Sequence, residues 1–150
     1  MRALIQRVKQ ANVSVAGQPV GAIEQGLSVF LGVAAEDTEA CADKLIHKLL
    51  HYRVFADAND KMNLNVQQAK GDLLIVSQFT LMADTHKGLR PSFSSAAPPA
   101  MAQALYEYFI QQAQLHYPTA TIASGIFAAD MQVSLVNDGP VTFLLEQLNV

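Results

Sequence analysis

Two short segments hold most of the chemistry this sequence has to offer. In the first, Ser77-Gln78-Phe79-Thr80 sets three hydrogen-bonding side chains and an aromatic ring directly behind the apolar run Leu73-Leu74-Ile75-Val76. Strand ends of this kind are where binding sites are often built on a rigid scaffold. A strand that simply terminates in polar residues looks the same. The second segment is Gly139-Pro140. A prolyl bond is the one place where a cis peptide is readily accessible, roughly 0.5–1 kcal/mol from trans. The glycine before it has no side chain, so its carbonyl can approach a ligand closely. An ordinary turn between two strands would read the same way.

The remaining inventory is thin. There is no Gly-x-Ser-x-Gly elbow, no His-Glu-x-x-His helix and no phosphate loop. Cys41 falls on a predicted helix with no activating base, and no Ser or Thr has a His partner evident in the sequence. His47 and His51 sit one helical turn apart, a spacing that suits a metal. They flank an apolar stripe with no third ligand nearby, so no metal is expected there. Asp57, Asn59 and Asp60 open like a calcium loop but lack the required glycine and closing glutamate, so a solvated turn is expected. His86 and His116 stand alone. An enzyme built on this chain would work largely with backbone amides and with its substrate's own functional groups.

The bulk properties narrow the setting. A chain of 150 residues suits a single domain over 1–150. Its 51% hydrophobic and 15% charged residues leave two readings open, a well-filled core or an apolar face covered by a partner subunit. No stretch approaches the roughly 20 apolar residues of a membrane helix, and Met1-Arg2-Ala3-Leu4-Ile5 is unlike a signal peptide. A lone Cys41 excludes an intramolecular disulfide. The expected compartment is the cytoplasm, with no membrane partner and no DNA. A net charge of −3 argues against a long phosphate-tracking surface. Only Arg2, Arg7 and Lys9, with Lys87 and Arg90, form local basic groups, so an RNA ligand would be gripped at one end.

The elements that must position the two segments read as follows. Val13 and Val15, a turn at Gly17-Gln18-Pro19, then Val20 and Ile23 predict a hairpin. Residues 27–33 predict a mostly buried strand. Asp37 or Thr38 caps a helix whose Ala42, Leu45, Ile46, Leu49 and Leu50 form one apolar face. Leu73–Val76 predicts a central strand and 84–97 a loop. Pro98-Pro99 opens a second helix, with Met101, Leu105, Tyr108, Phe109 and Leu115 as its buried face. Three last strands are predicted at 120–126, 131–137 and 140–148, with Asn137-Asp138-Gly139-Pro140 separating the final two. The sum is an α+β domain of mixed or antiparallel strands with two main helices.

With these elements in place, the motifs resemble a known family. Ser77-Gln78-Phe79-Thr80-Leu81-Met82-Ala83 resembles the Ser-Gln-Phe-Thr-Leu-x-Ala signature of the D-aminoacyl-tRNA deacylases, and Asn137-Asp138-Gly139-Pro140-Val141-Thr142 is similar to their Asn-x-Gly-Pro-Val-Thr signature. The similarity runs from Met1-Arg2-Ala3 through Gly88-Leu89-Arg90-Pro91-Ser92-Phe93 to the last strand. One departure is Ala128, where related chains carry glycine in Phe-Gly-Ala-Asp-Met. The resemblance implies a carboxylic ester hydrolase that frees tRNA from mischarged D-amino acids, and from glycine, without cofactor or metal. It also implies a barrel-like homodimer with active sites at the subunit interface. A cis Gly139-Pro140 would reach into the partner's site as the chiral filter, with Arg7 holding that loop. Ser77, Gln78, Phe79 and Thr80 would line the catalytic pocket, and Phe127 and Met131 would contact the terminal adenosine of the aminoacylated 3′ end. An alternative remains a module that binds charged tRNA ends without cleaving them.

Overall fold

The run Leu73–Val76 is apolar without interruption because its strand is covered on both faces. In the computed structural model, which describes residues 1–148, strand β6 (Asp72–Ser77) lies parallel between β3 (Gly26–Gly32) and β7 (Ile122–Ser124). Leu73 and Ile75 point to a core shared with the two helices, whereas Leu74 and Val76 join a second cluster with Val8, Ala11, Val13 and Ile23. Residues 149 and 150 of the expected domain lie outside the described residues.

Strand β1 (Arg2–Val15) is antiparallel to β3 along its first half and to β2 (Gln18–Ile23) along its second. Its other edge pairs with β8 (Met131–Glu146) over nearly its whole length. The path β2-β1-β3-β6-β7 curls until its ends almost meet. Gly21 permits that approach, since a Cβ there would lie 2.7 Å from the carbonyl oxygen of Ser124. The result is a nearly closed, barrel-like mixed sheet. Helices α1 (Glu39–His51) and α2 (Pro99–His116) cover its outer face, and β4 (Phe55–Ala56) pairs with β5 (Met62–Leu64) as a small separate ribbon. The α+β class with two main helices is as the sequence predicts.

Thr38 caps α1 by accepting from the Cys41 N–H, while Asp37 does something else. Its buried carboxylate binds the Met1 ammonium at 2.8–2.9 Å and the Ala34 N–H at 2.7 Å, tying the start of β1 to the approach of the helix. Cys41 is a buried, packed thiol. Asp57 closes the expected turn by accepting from the Asn59 and Lys61 N–H groups and from the Asn63 amide. Those hydrogen bonds hold its carboxyl below the usual range, the Asn63 bond contributing most.

Four predictions need correction. The hairpin turn is Ala16-Gly17, both at positive φ (50° and 77°), and Pro19 lies inside β2. That pair of angles suits a tight two-residue hairpin, and the alanine disguised it. Strand β7 is shorter than predicted, covering only 122–124. The buried face of α2 is Leu105, Tyr106, Phe109 and Ala113; Leu115 is 67% exposed and Tyr108 instead donates its hydroxyl to Asp43. Finally, Asn137–Pro140 does not separate two strands. β8 runs through it as one strand of 16 residues, and the irregularity is taken up as register shifts against Gln6–Gln10 of β1.

Candidate active site

Where β6 ends, the chain turns into a short 3-10 segment, Phe79–Met82. Gln78 still donates its N–H to the Leu31 carbonyl, so the turn is anchored to the sheet. The next two N–H groups, of Phe79 and Thr80, precede the first bonds of the turn and have no backbone acceptor among the described residues. The Phe79 ring is 63% exposed and leans on Phe93, with centroids 5.1 Å apart.

A cavity of about 500 Å³ opens beside this turn. Ser77, Gln78 and Phe79 form one wall, and Phe127 and Met131 form another, so five of the predicted site residues meet in one place. Thr80 stands at the rim without lining it, its exposed hydroxyl accepting from the Gln78 amide. No carboxylate, histidine, cysteine, lysine or arginine lines the cavity.

The one titratable side chain in the lining is Tyr106, which the sequence reading missed. Its hydroxyl donates to the Ile75 carbonyl at 2.9 Å, and burial pushes its pKa up to about 12. It therefore stays a neutral donor that pins α2 to the end of β6. The signal was available as the stripe Ala102, Leu105, Tyr106, Phe109, Ala113 at i, i+3, i+4, i+7, i+11, whose small residues concealed it.

Ala128 occupies the lip of the same cavity at φ +65°, within a turn closed by Ala129 N–H to Ile126 O at 3.2 Å. A β-carbon in this left-handed conformation costs about 1–2 kcal/mol. Glycine would relieve that strain, offset by about 0.5–1 kcal/mol of extra freedom in the unfolded chain. Ala128→Gly is therefore expected to raise stability slightly, by about 0.5–1 kcal/mol or roughly 1–4 °C in Tm. A drop of several degrees in thermal unfolding would show that the turn is not strained.

Arg7, Gly139 and Pro140 form a separate group. Arg7 donates from Nε to the Asp138 carbonyl at 3.0 Å and from Nη1 to the Val54 carbonyl at 2.8 Å. Asn137 accepts from the Val141 N–H at 3.0 Å and donates to Thr142 Oγ1 at 3.1 Å, closing the loop upon itself. The spacing Asn-x-Gly-Pro-Val-Thr is thus the bonding pattern of the loop. The Gly139-Pro140 peptide bond is cis. Gly139 has φ +135°, and a Cβ there would lie 2.7 Å from Val141 Cγ2 and 3.2 Å from Arg7 Nη2. Gly139 lies eight positions from Met131 on β8, roughly 25 Å along the strand. The chain does not bring this loop to its own cavity.

His47 and His51 stack with centroids 4.3 Å apart, and among the described residues no group of three potential ligands is arranged for a metal. No helix among them is long and apolar enough to cross a membrane.

Comparison with known proteins agrees with the motifs. The family model for D-Tyr-tRNA(Tyr) deacylase matches residues 4–146. A D-aminoacyl-tRNA deacylase of Haemophilus ducreyi is 68% identical over 146 residues, spanning 97% of this chain and 99% of the relative. One of Cellvibrio japonicus is 65% identical with the same coverage. Among solved structures, a c-Myc DNA unwinding element binding protein superposes with TM-score 0.93 at 40% identity, over 97% of this chain and 98% of that one. A probable eukaryotic D-amino acid tRNA deacylase, at 17% identity and TM-score 0.84, covers 96% and 97% and shares the fold. The chain belongs to the D-Tyr-tRNA(Tyr) deacylase family.

Proposed function

We propose that this protein hydrolyses the ester bond of D-aminoacyl-tRNA and of glycyl-tRNA, releasing the amino acid and intact tRNA. The observation that carries the mechanism is a cavity walled by Ser77, Gln78 and Phe79 whose lining holds no carboxylate, histidine or lysine to act as a base, so the Ser77 hydroxyl has no activating partner there. An aminoacyl ester is already activated, so a side-chain base is not essential. Water adds to the carbonyl carbon, and the developing oxyanion takes a hydrogen bond from the free Phe79 N–H. Such a donor contributes roughly 2.7–4 kcal/mol. The neighbouring ribose 2′-hydroxyl assists the water, and the 3′-oxygen leaves with a proton. Holding the ester in place supplies much of the remainder. Phe127 and Met131 receive the terminal adenosine. The chemistry requires no metal or organic cofactor.

The chiral filter in this reading comes from a second copy of the chain. The Gly139-Pro140 loop is held rigidly by Arg7 and Asn137 yet lies far from its own cavity. Strand β8, whose only partner among the described strands is β1, presents Val136, Phe143 and Leu144 at 37–47% exposure on a long free edge. Long, exposed edges carrying apolar residues are usually covered. In a homodimer across this face the loop's backbone carbonyls would meet the substrate's α-carbon and leave no room for an L side chain. Such a protein, acting on charged tRNA, works in the cytoplasm.

The test is incubation of the purified protein with D-tyrosyl-tRNA, following release of tyrosine. Release well above the uncatalysed rate is expected. Tight binding without release would favour a non-catalytic module for tRNA ends.

A further inference from the structure

We propose that the loop between Asp84 and Ser95 is a cationic strap for the single-stranded 3′ end of the substrate tRNA, with Lys87 and Arg90 gripping phosphates just upstream of the terminal adenosine. The proposal rests on the deacylase reading and adds the residues that hold the nucleic acid outside the cavity. Three observations carry it.

The first is position. The strap is fastened beside the cavity mouth by the Asp84–Ser92 bridge, by Ser95 Oγ donating to the Met82 carbonyl at 3.0 Å, and by the Phe93 ring against Phe79. Arg90 and Lys87 precede Phe93 by three and six residues, so they lie within roughly 10 and 20 Å of the mouth by chain length. The second is charge. The protein carries a net −3, yet no carboxylate occurs between Asp84 and Glu107. Asp84 is engaged by His86 at 2.7 Å. Lys87 and Arg90 are exposed and, like the lysines elsewhere among the described residues, have no ion-pair partner there; what sets them apart is their place beside the mouth. The third is the apolar tip. Leu89 is fully exposed, and with Phe79 and Phe93 it offers surfaces on which unpaired bases can lie. Phosphate-binding cations interleaved with exposed apolar and aromatic groups suit a single strand better than a duplex, whose bases are already stacked.

The strap makes a quantitative demand. Each phosphate contact on a single strand contributes about 0.7 to the slope of log affinity against log salt. The double variant Lys87→Gln/Arg90→Gln should therefore flatten the salt dependence of KM for D-tyrosyl-tRNA by about 1.4 and raise KM roughly ten-fold at low salt, with kcat essentially unchanged. D-tyrosyl-adenosine, which carries the same ester and no phosphate, should be hydrolysed equally by variant and wild type. Lys44→Gln/Lys48→Gln on α1, remote from the cavity, serves as the charge-matched control and should match wild type on both substrates. An unchanged KM and salt slope in the strap variant overturns the proposal. Equal losses on tRNA and on the nucleoside ester overturn it too, because the loop would then be shaping the cavity. A wild-type protein inactive on both esters would instead overturn the deacylase reading itself.

Discussion

Gly139→Ala is expected to lower kcat/KM for D-aminoacyl-tRNA by roughly 10²-fold or more, on the scale of a reacting group displaced by about 1 Å. Glycine at φ +135° occupies a region of backbone space that L residues enter only at about 1–3 kcal/mol. A methyl group there would also lie 2.7 Å from Val141 Cγ2 and press on the Arg7 guanidinium that holds the loop. The loop must shift, and with it the carbonyls assigned to the α-carbon of the substrate. Steady-state hydrolysis of D-tyrosyl-tRNA, with the mass in solution measured alongside, checks this. Activity within a few-fold of wild type would remove the loop from the site.

The second large effect concerns the substrate. A D-tyrosyl-tRNA ending in 2′-deoxyadenosine is expected to be hydrolysed at least about 10²-fold more slowly, the lower range for a lost proton-transfer partner. The cavity lining offers no replacement, since its one titratable group, Tyr106, stays protonated and is committed to the Ile75 carbonyl. Thr80→Ala provides the complementary measurement. An unactivated hydroxyl at the rim is a weak nucleophile, so this variant should keep substantial activity. Loss of all catalysis on removing Thr80, or equal rates on the two tRNA ends, would contradict a mechanism based on backbone and substrate.

Much of the fold was legible wherever a segment's pattern had one physical explanation. The short, uninterrupted apolar run Leu73–Val76 suited a buried central strand, which is what β6 is. Asp37 or Thr38, followed by an apolar stripe at helical spacing, marked the start of α1, and the structure assigns the cap to Thr38. The failures lie where a local rule was overridden. Gly-Pro normally punctuates, yet β8 continues through Gly139-Pro140 because β1 absorbs the irregularity opposite Arg7 and Asn137 closes the loop. Ala16 takes the angle usually given to Gly or Asn, which moved the predicted turn to the following residues. Tyr106 was passed over for Tyr108 because two of its companions on the stripe, Ala102 and Ala113, are small. At the site, Ser77–Phe79, Phe127 and Met131 were marked by motif and do converge. That Arg7 holds the Gly139-Pro140 loop was implied by the family motif alone, since strand periodicity does not tell that Arg7 meets a segment 131 positions away.

The central claim is that the pocket excludes an L side chain and does not grip a D one. Parallel hydrolysis of D-tyrosyl-, L-tyrosyl- and glycyl-tRNA tests it most directly. An L β-carbon would collide with the loop's carbonyls and bury them without partners, costing about 1–3 kcal/mol before any steric term. D-tyrosyl- and glycyl-tRNA should therefore be cleaved and L-tyrosyl-tRNA left intact. Rapid cleavage of L-tyrosyl-tRNA, or complete resistance of glycyl-tRNA, would contradict the claim.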